Sequence, residues 1–172
     1  LSGLSSHFRA GLKTSNTYRA AAIMLLLSSF LGCGSAAPSH LAFVTLRGPN
    51  EIAVYRVNNH SAAFTSVVGS PFITGVSPSS VVAHPSKKFV YVANQGENNI
   101  SLFKVNSDAG QLFEVMPRTH AGIYPSSLAM DSGGAFSFAA NQASNNISVF
   151  SMNSGTGALT EVSGSPFATG PG

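Results

Sequence analysis

The chain has 172 residues, 44% of them hydrophobic and only 9% charged, with one Cys, no Trp and a formal net charge of +3. Charge is far below the ~25% of an ordinary soluble domain, and Ser, Asn, Gly and Thr supply the polarity instead. The excess charge does not describe a nucleic-acid surface: Arg9, Lys13 and Arg19 precede an apolar run, and from Cys33 onward six basic residues meet six acidic ones.

Taken in chain order, residues 1–32 read as an export signal. The basic segment runs into Ala20–Phe30, an apolar stretch shorter than the ~20 residues needed to span a bilayer. It ends in Phe30-Leu31-Gly32-Cys33, which resembles a bacterial lipobox with Phe in place of the usual first Leu. That resemblance implies lipidation at Cys33 and attachment to a membrane. Gly34, not Asp, follows the Cys, which in a Gram-negative cell implies the outer membrane. This reading is preferred over an ordinary signal peptide carrying a chance Cys, because no second Cys competes for the thiol. Residues 33–40 then read as a short tether.

Residues 41–172 repeat one motif, in units near 41–78, 79–125 and 126–172. Phe89-Val-Tyr-Val-Ala-Asn-Gln95 returns as Phe136-Ser-Phe-Ala-Ala-Asn-Gln142, and Asn98-Asn-Ile-Ser-Leu-Phe103 as Asn145-Asn-Ile-Ser-Val-Phe150, both 47 residues later. The first copy is more diverged: Phe43 and Ile52-Ala-Val-Tyr55 match Tyr91 and Ile100-Ser-Leu-Phe103. Gly69-Ser-Pro-Phe72 returns as Gly164-Ser-Pro-Phe167, and Pro78-Ser-Ser-Val81 as Pro125-Ser-Ser-Leu128. Several independent matches at one period identify repeats.

The middle unit holds four strand candidates, 79–84, 88–95, 98–105 and 111–116, separated by turn residues. Alternation sends Val90 and Val92 to one face of the second strand and Phe89, Tyr91 and Ala93 to the other. Both faces are apolar, so the strand is expected to be covered on both sides. Units of four strands and ~40–50 residues imply an all-β propeller in preference to a solenoid. The absence of Trp excludes the Trp-Asp repeat class. The Gly-Ser-Pro-Phe element is expected to link the outer strand of one blade to the inner strand of the next, with Phe72 and Phe167 anchoring the crossing.

Tyr91-Val-Ala-Asn94 followed by Asn99-Ile-Ser-Leu-Phe103, with Pro78 before and His84-Pro-Ser-Lys-Lys-Phe89 between, resembles the lactonase-type seven-bladed propeller family over roughly residues 41–172. The resemblance implies seven blades, of which about three fall in this sequence. With no initiator Met and an end inside the repeat, the sequence is expected to be part of a longer protein. The family includes 6-phosphogluconolactonase-type enzymes, so the resemblance implies a sugar lactone or other carbohydrate ligand in a central channel. Those enzymes carry a His soon after the Pro that opens the inner strand, whereas this chain has Ser79 and Ser126. They also tend to carry an Asp-containing turn where it has Asn94-Gln95 and Asn141-Gln142. No catalytic residue is therefore assigned within these blades.

Other motifs give little. There is no Gly-x-Ser-x-Gly or His-Glu-x-x-His. Ser101 and Lys104 match Ser-x-x-Lys, but on a strand that spacing puts them on opposite faces. His7, His40, His60, His84 and His120 are not at ligand spacing, so neither a metal site nor a cofactor is expected. His84 ends an inner strand, where a channel base could sit, but its repeat partner is Asp131 and the preferred reading is a polar turn residue. Asn59, Asn99 and Asn146 fit the N-glycosylation pattern, two of them simply as part of the repeat. Two classes stay open: an envelope lactonase and a non-catalytic propeller that binds a protein or glycan. Either is expected to be monomeric at full length, with the membrane contacted through Cys33.

Overall fold

Alternating apolar strands broken by Asn-, Gly- and Pro-containing turns can bury two faces only by stacking sheets, and the chain does so three times over. In the computed structural model, which describes residues 40–170, every regular element is a strand. The signal read over 1–32, Cys33 and most of the tether lie outside the described residues. Strands β1 (His40–Leu46), β2 (Glu51–Val57), β3 (Phe64–Ser66) and β4 (Phe72–Ile73) form the first blade. The second consists of β5 (Pro78–Ala83), β6 (Phe89–Asn94), β7 (Asn99–Val105) and β8 (Leu112–His120), in that order across the sheet. The third comprises β9 (Pro125–Met130), β10 (Phe136–Asn141), β11 (Asn146–Met152), β12 (Leu159–Glu161) and β13 (Phe167–Ala168). All pairings are antiparallel. The fold is an all-β partial propeller, with β5 and β9 as inner strands.

The two faces of β6 divide as alternation predicts. Val90 and Val92 join Ile52, Val54, Val67, Val81, Phe103 and Leu112 in the seam between the first two blades. Phe89, Tyr91 and Ala93 join Ile100, Leu102, Leu128, Ala139 and Phe150 in the seam between the second and third.

The Gly-Ser-Pro-Phe element is not the link expected from its turn residues. Phe72 and Ile73 still pair with β2, as Phe167 and Ala168 pair with β11, so the element interrupts the outer strand and the pairing resumes beyond it. At the break, the Ser70 Oγ accepts the Val54 N–H at 2.8 Å and the Ser165 Oγ the Val149 N–H at 2.9 Å. The hydroxyl replaces the carbonyl that the broken ladder withdraws, so no buried donor is left unpaired. Only residues 74–77 remain as the first link. Phe72 packs on the seam as expected, whereas Phe167 is exposed. In the second blade β8 crosses the same level by a register shift opposite Ile100–Leu102.

Candidate functional site

The links between blades and the turns joining β1 to β2, β6 to β7 and β10 to β11 lie at one end of the sheets, where β5 and β9 begin. Each link is held by the same device. Asn50 and Asn98 sit at φ 63° and 56°, a left-handed conformation that Asn tolerates better than most residues. The Asn50 main-chain carbonyl accepts the Thr74 N–H at 2.9 Å, and its side-chain Oδ1 accepts the Ser77 N–H at 2.8 Å. Asn98 repeats both bonds with Ala121 and Tyr124 at 3.0 and 2.9 Å. Ser77 and Tyr124, each just before the Pro that opens an inner strand, are themselves held at φ 53° and 64°. A Tyr in this region is uncommon and needs its surroundings to fix it. The Gln142 N–H donates to the Tyr124 carbonyl and the Gln95 N–H to that of Ser77, completing the clamp.

Behind the links lie buried amide clusters. Asn94 Nδ2 donates to Asn99 Oδ1 and to Ser101 Oγ, while Asn94 Oδ1 accepts the Gly75 N–H at 3.1 Å. Gly75 must be a glycine, because a Cβ there would lie 2.5 Å from Asn94 Cγ. Asn141, Asn146 and Ser148 repeat the two donations. The Tyr-Val-x-Asn residues at the core of the motif are thus structural. Ser101 is buried in this cluster and Lys104 is exposed, so the Ser-x-x-Lys match brings no pair together.

Ser79 and Ser126, where lactonase-type enzymes carry His, are both bulged. Ser80, not Ser79, pairs with Ala93, and the third blade shifts register in the same place. A bulge re-aims a side chain and is common beside active sites. Here the Ser79 Oγ donates to the Pro125 carbonyl at 2.7 Å, joining the two inner strands, and the Ser126 Oγ donates to the Ala140 carbonyl at 3.2 Å.

His84 lies at the opposite end of β5, roughly 16 Å along the strand from Ser79, so the two cannot act together. It is buried. Its Nδ1 accepts the Ser86 N–H at 3.0 Å, which leaves Nε2 to donate to the Gly134 carbonyl of the next blade at 3.1 Å. His84 is a joint between blades. Its repeat partner Asp131 instead closes its own turn. Backbone N–H groups, that of Phe136 foremost and that of Gly133 after it, hold the Asp131 carboxyl below its ordinary range. Among the described residues no cluster of His, Cys, Asp or Glu could hold a metal ion.

What the inner-strand end presents to solvent is mixed. Arg47 reaches across the first seam and donates from Nη2 to Gln95 Oε1 at 2.6 Å. Gln142 and Tyr124 are exposed at the next seam. Glu97, in the turn after β6, is held by Arg118 at 2.6 Å, and Arg118 also meets Glu114 at 2.7 Å. The arrangement offers hydrogen bonds, a cation and an aromatic face to a polar ligand. Sequence reasoning passed over Arg47, although aligning the repeats would have set it against Gln95 and Gln142.

Comparison with known proteins agrees with this architecture. A family described as lactonase, seven-bladed β-propeller, matches residues 39–172. A 6-phosphogluconolactonase of Formosa agariphila is 36% identical over 72 residues, which cover 41% of this chain and 20% of that protein. The periplasmic gluconolactonase of Pseudomonas aeruginosa superposes with a TM-score of 0.63 at 22% identity, over 74% of this chain and 38% of the other. A protein from Lactobacillus plantarum gives 0.67 at 21% identity, over 76% of this chain and 39% of the other. The chain therefore spans well under half the length of these relatives. It belongs to the lactonase, seven-bladed β-propeller family.

Proposed function

We propose that this chain is part of an envelope-anchored propeller that binds a sugar lactone at the end where β5 and β9 begin, and hydrolyses it there. The observation that carries the reading is the convergence, at that end, of two bulged inner-strand residues with the clamped Tyr124 and the Arg47–Gln95 bridge. The kinship with lactonases supports the chemistry. In such a reaction water adds to the lactone carbonyl, the acyl–oxygen ring bond breaks, and the ring oxygen leaves as a hydroxyl. The carboxylic acid formed releases one proton at neutral pH. This chain's residues bind and orient the sugar, and the base that activates water comes from other blades. Export through residues 1–32 and lipidation at Cys33 would place the propeller at a bacterial membrane surface, as a monomer.

One observation favours a second reading, a non-catalytic propeller that binds a glycan or protein. The hydroxyls of Ser79 and Ser126 donate to backbone carbonyls, so neither is poised for acid–base work. Fold alone does not decide, because function lives in the site.

The deciding experiment is a pH-drop assay of the full-length protein against a panel of sugar lactones. Turnover well above buffer, lost on substitution of channel His or acidic residues, is the expected result. A folded, closed ring with no turnover on any lactone would replace the hydrolase with the binding protein. Cell fractionation tests the anchor: Cys33→Ala is expected to leave the membrane fraction, and a variant still found there would refute lipidation.

A further inference from the structure

The chain enters the first blade at the end opposite the candidate site. Strand β1 starts at His40 and runs toward the turn whose Asn50 holds the link to β5, so His40 lies at the end where β5 and β9 finish. Seven residue steps separate Cys33 from His40. Fully drawn out they reach at most ~24 Å, while β1 alone is about 20 Å long. Laying the site end against a bilayer would stretch the tether back along the whole blade, at the cost of the conformational freedom of every residue in it. An anchor at Cys33 therefore holds the His40 end toward the membrane.

That end is also the basic end of the described residues. Arg56, Lys87, Lys88 and Lys104 lie there, against Asp108 and Asp131. The rest of the described chain reverses the balance, with Arg47 and Arg118 against four glutamates. Lys87, Lys88 and Lys104 are exposed. The Lys88 carbonyl accepts the Val105 N–H at 2.9 Å, which sets Lys104 one ladder step away. Arg56 crosses the first seam and donates from Nη2 to the Asp108 main-chain carbonyl, a neutral acceptor, so that contact orients the guanidinium without neutralising it. Asp131 turns its carboxylate onto backbone N–H groups of its own turn. The basic groups thus span two adjacent blades at one end.

We infer that the end bearing His40, Lys87, Lys88 and Lys104 docks on an anionic bilayer surface, with the candidate site pointing away from it. This rests on the anchor reading above and deepens it: the lipid fixes the protein to the membrane, and the basic end sets which way it faces. The occupant is the layer of anionic lipid headgroups, because its charge complements this end and the anchor brings the two within a Debye length. A ligand dissolved in the surrounding compartment then reaches the candidate site without passing through the contact.

The test takes full-length protein purified from membranes and places it on vesicles of phosphatidylcholine, alone or with about 30% phosphatidylglycerol. These samples and detergent-solubilised protein are treated with a water-soluble amine-acylating reagent, and mass spectrometry reads each lysine. Arg47→Lys adds a reporter amine at the opposite end, where the side chain is exposed. On anionic vesicles Lys87, Lys88 and Lys104 are expected to react at least roughly fivefold more slowly than in detergent, with the amine at position 47 unchanged. Raising ionic strength should restore part of their reactivity. Equal slowing at all four positions, none at any, or slowing at position 47 alone overturns the assignment.

The same spectra show whether Cys33 carries lipid. If it does not, the anchor reading fails and the basic end is judged on its charge alone. Sedimentation with the anionic vesicles then compares wild type with the triple variant Lys87→Gln, Lys88→Gln and Lys104→Gln. The variant is expected to partition roughly tenfold to a hundredfold more weakly, with no difference on phosphatidylcholine. Equal partition of the two proteins, nil included, overturns the proposal. A thermal melt checks that the triple variant folds. Lys104→Gln alone supplies the same comparison with a loss of roughly fivefold, and no loss there would refute the role of charge even if the triple variant proved unstable.

Discussion

Strands β6 and β10 are copies of each other with different surroundings. Phe89, Tyr91 and Ala93 on β6 match Phe136, Phe138 and Ala140 on β10, at the same places in the same four-strand unit. All six residues of β6 are buried. On β10 the face toward the second blade is buried, at Ser137, Ala139 and Asn141, while Phe136 and Phe138 are 45% and 37% exposed. What differs is the next blade. Across the second seam Leu128, Ala139 and Phe150 cover the β6 aromatics, Gly157 comes within touching distance of Phe89, and the Tyr91 hydroxyl donates to the Gly157 carbonyl at 2.7 Å. A propeller strand thus has no burial of its own on its second face. Each blade lends it to the one before.

Truncating the matched aromatics should separate the two strands most widely. In a chain ending at Gly172, Tyr91→Ala is expected to cost about 3–5 kcal/mol, the usual loss for a large buried side chain, and Phe138→Ala less than about 1 kcal/mol. Urea unfolding followed by far-UV circular dichroism reads both as shifts in midpoint. Equal losses at the two positions would mean that burial is set within each blade and not by its neighbour.

Much of this was legible in the residues. The period, the strands of the middle unit and the division of β6 into two seam faces follow from alternation and internal matching, because those signals are local and repeated. The bulges at Ser79 and Ser126 were not legible, since a one-residue shift in pairing leaves the apolar pattern of β5 and β9 intact. The Gly-Ser-Pro element misled for a physical reason: Gly and Pro mark turns, and nothing local says that a serine hydroxyl will patch the ladder so that the strand resumes at Phe72. The fourth strand of the middle unit runs on to His120, past the end expected at Met116, because Pro117 looks like a terminator and sits at a register shift. At the candidate site, Ser79 and Ser126 could be named from the resemblance. The Ser126 bond to the Ala140 carbonyl joins two strands of one blade, while the Ser79 bond to the Pro125 carbonyl, the joint at His84 and the bridge from Arg47 to Gln95 cross between blades, and no local pattern encodes either kind.

The finest distinction between the two strands is one oxygen atom. Tyr91 carries a hydroxyl that its counterpart Phe138 lacks, and that hydroxyl ties the second blade to the third at Gly157. Tyr91→Phe keeps the ring and removes the tie, for an expected loss of about 1–2 kcal/mol near neutral pH. The same substitution should alter the alkaline limb. Burial pushes the Tyr91 phenol above its ordinary value, so the unfolded chain gives up this proton first. The contribution is fully present below the unfolded value of about 10 and declines as pH rises above it toward the folded value. Wild type is therefore expected to lose stability above about pH 10 more steeply than Tyr91→Phe, and the two unfolding curves should converge there. Parallel curves through that range would mean the phenol ionises equally easily in both states, and that the hydroxyl is not sealed into the seam.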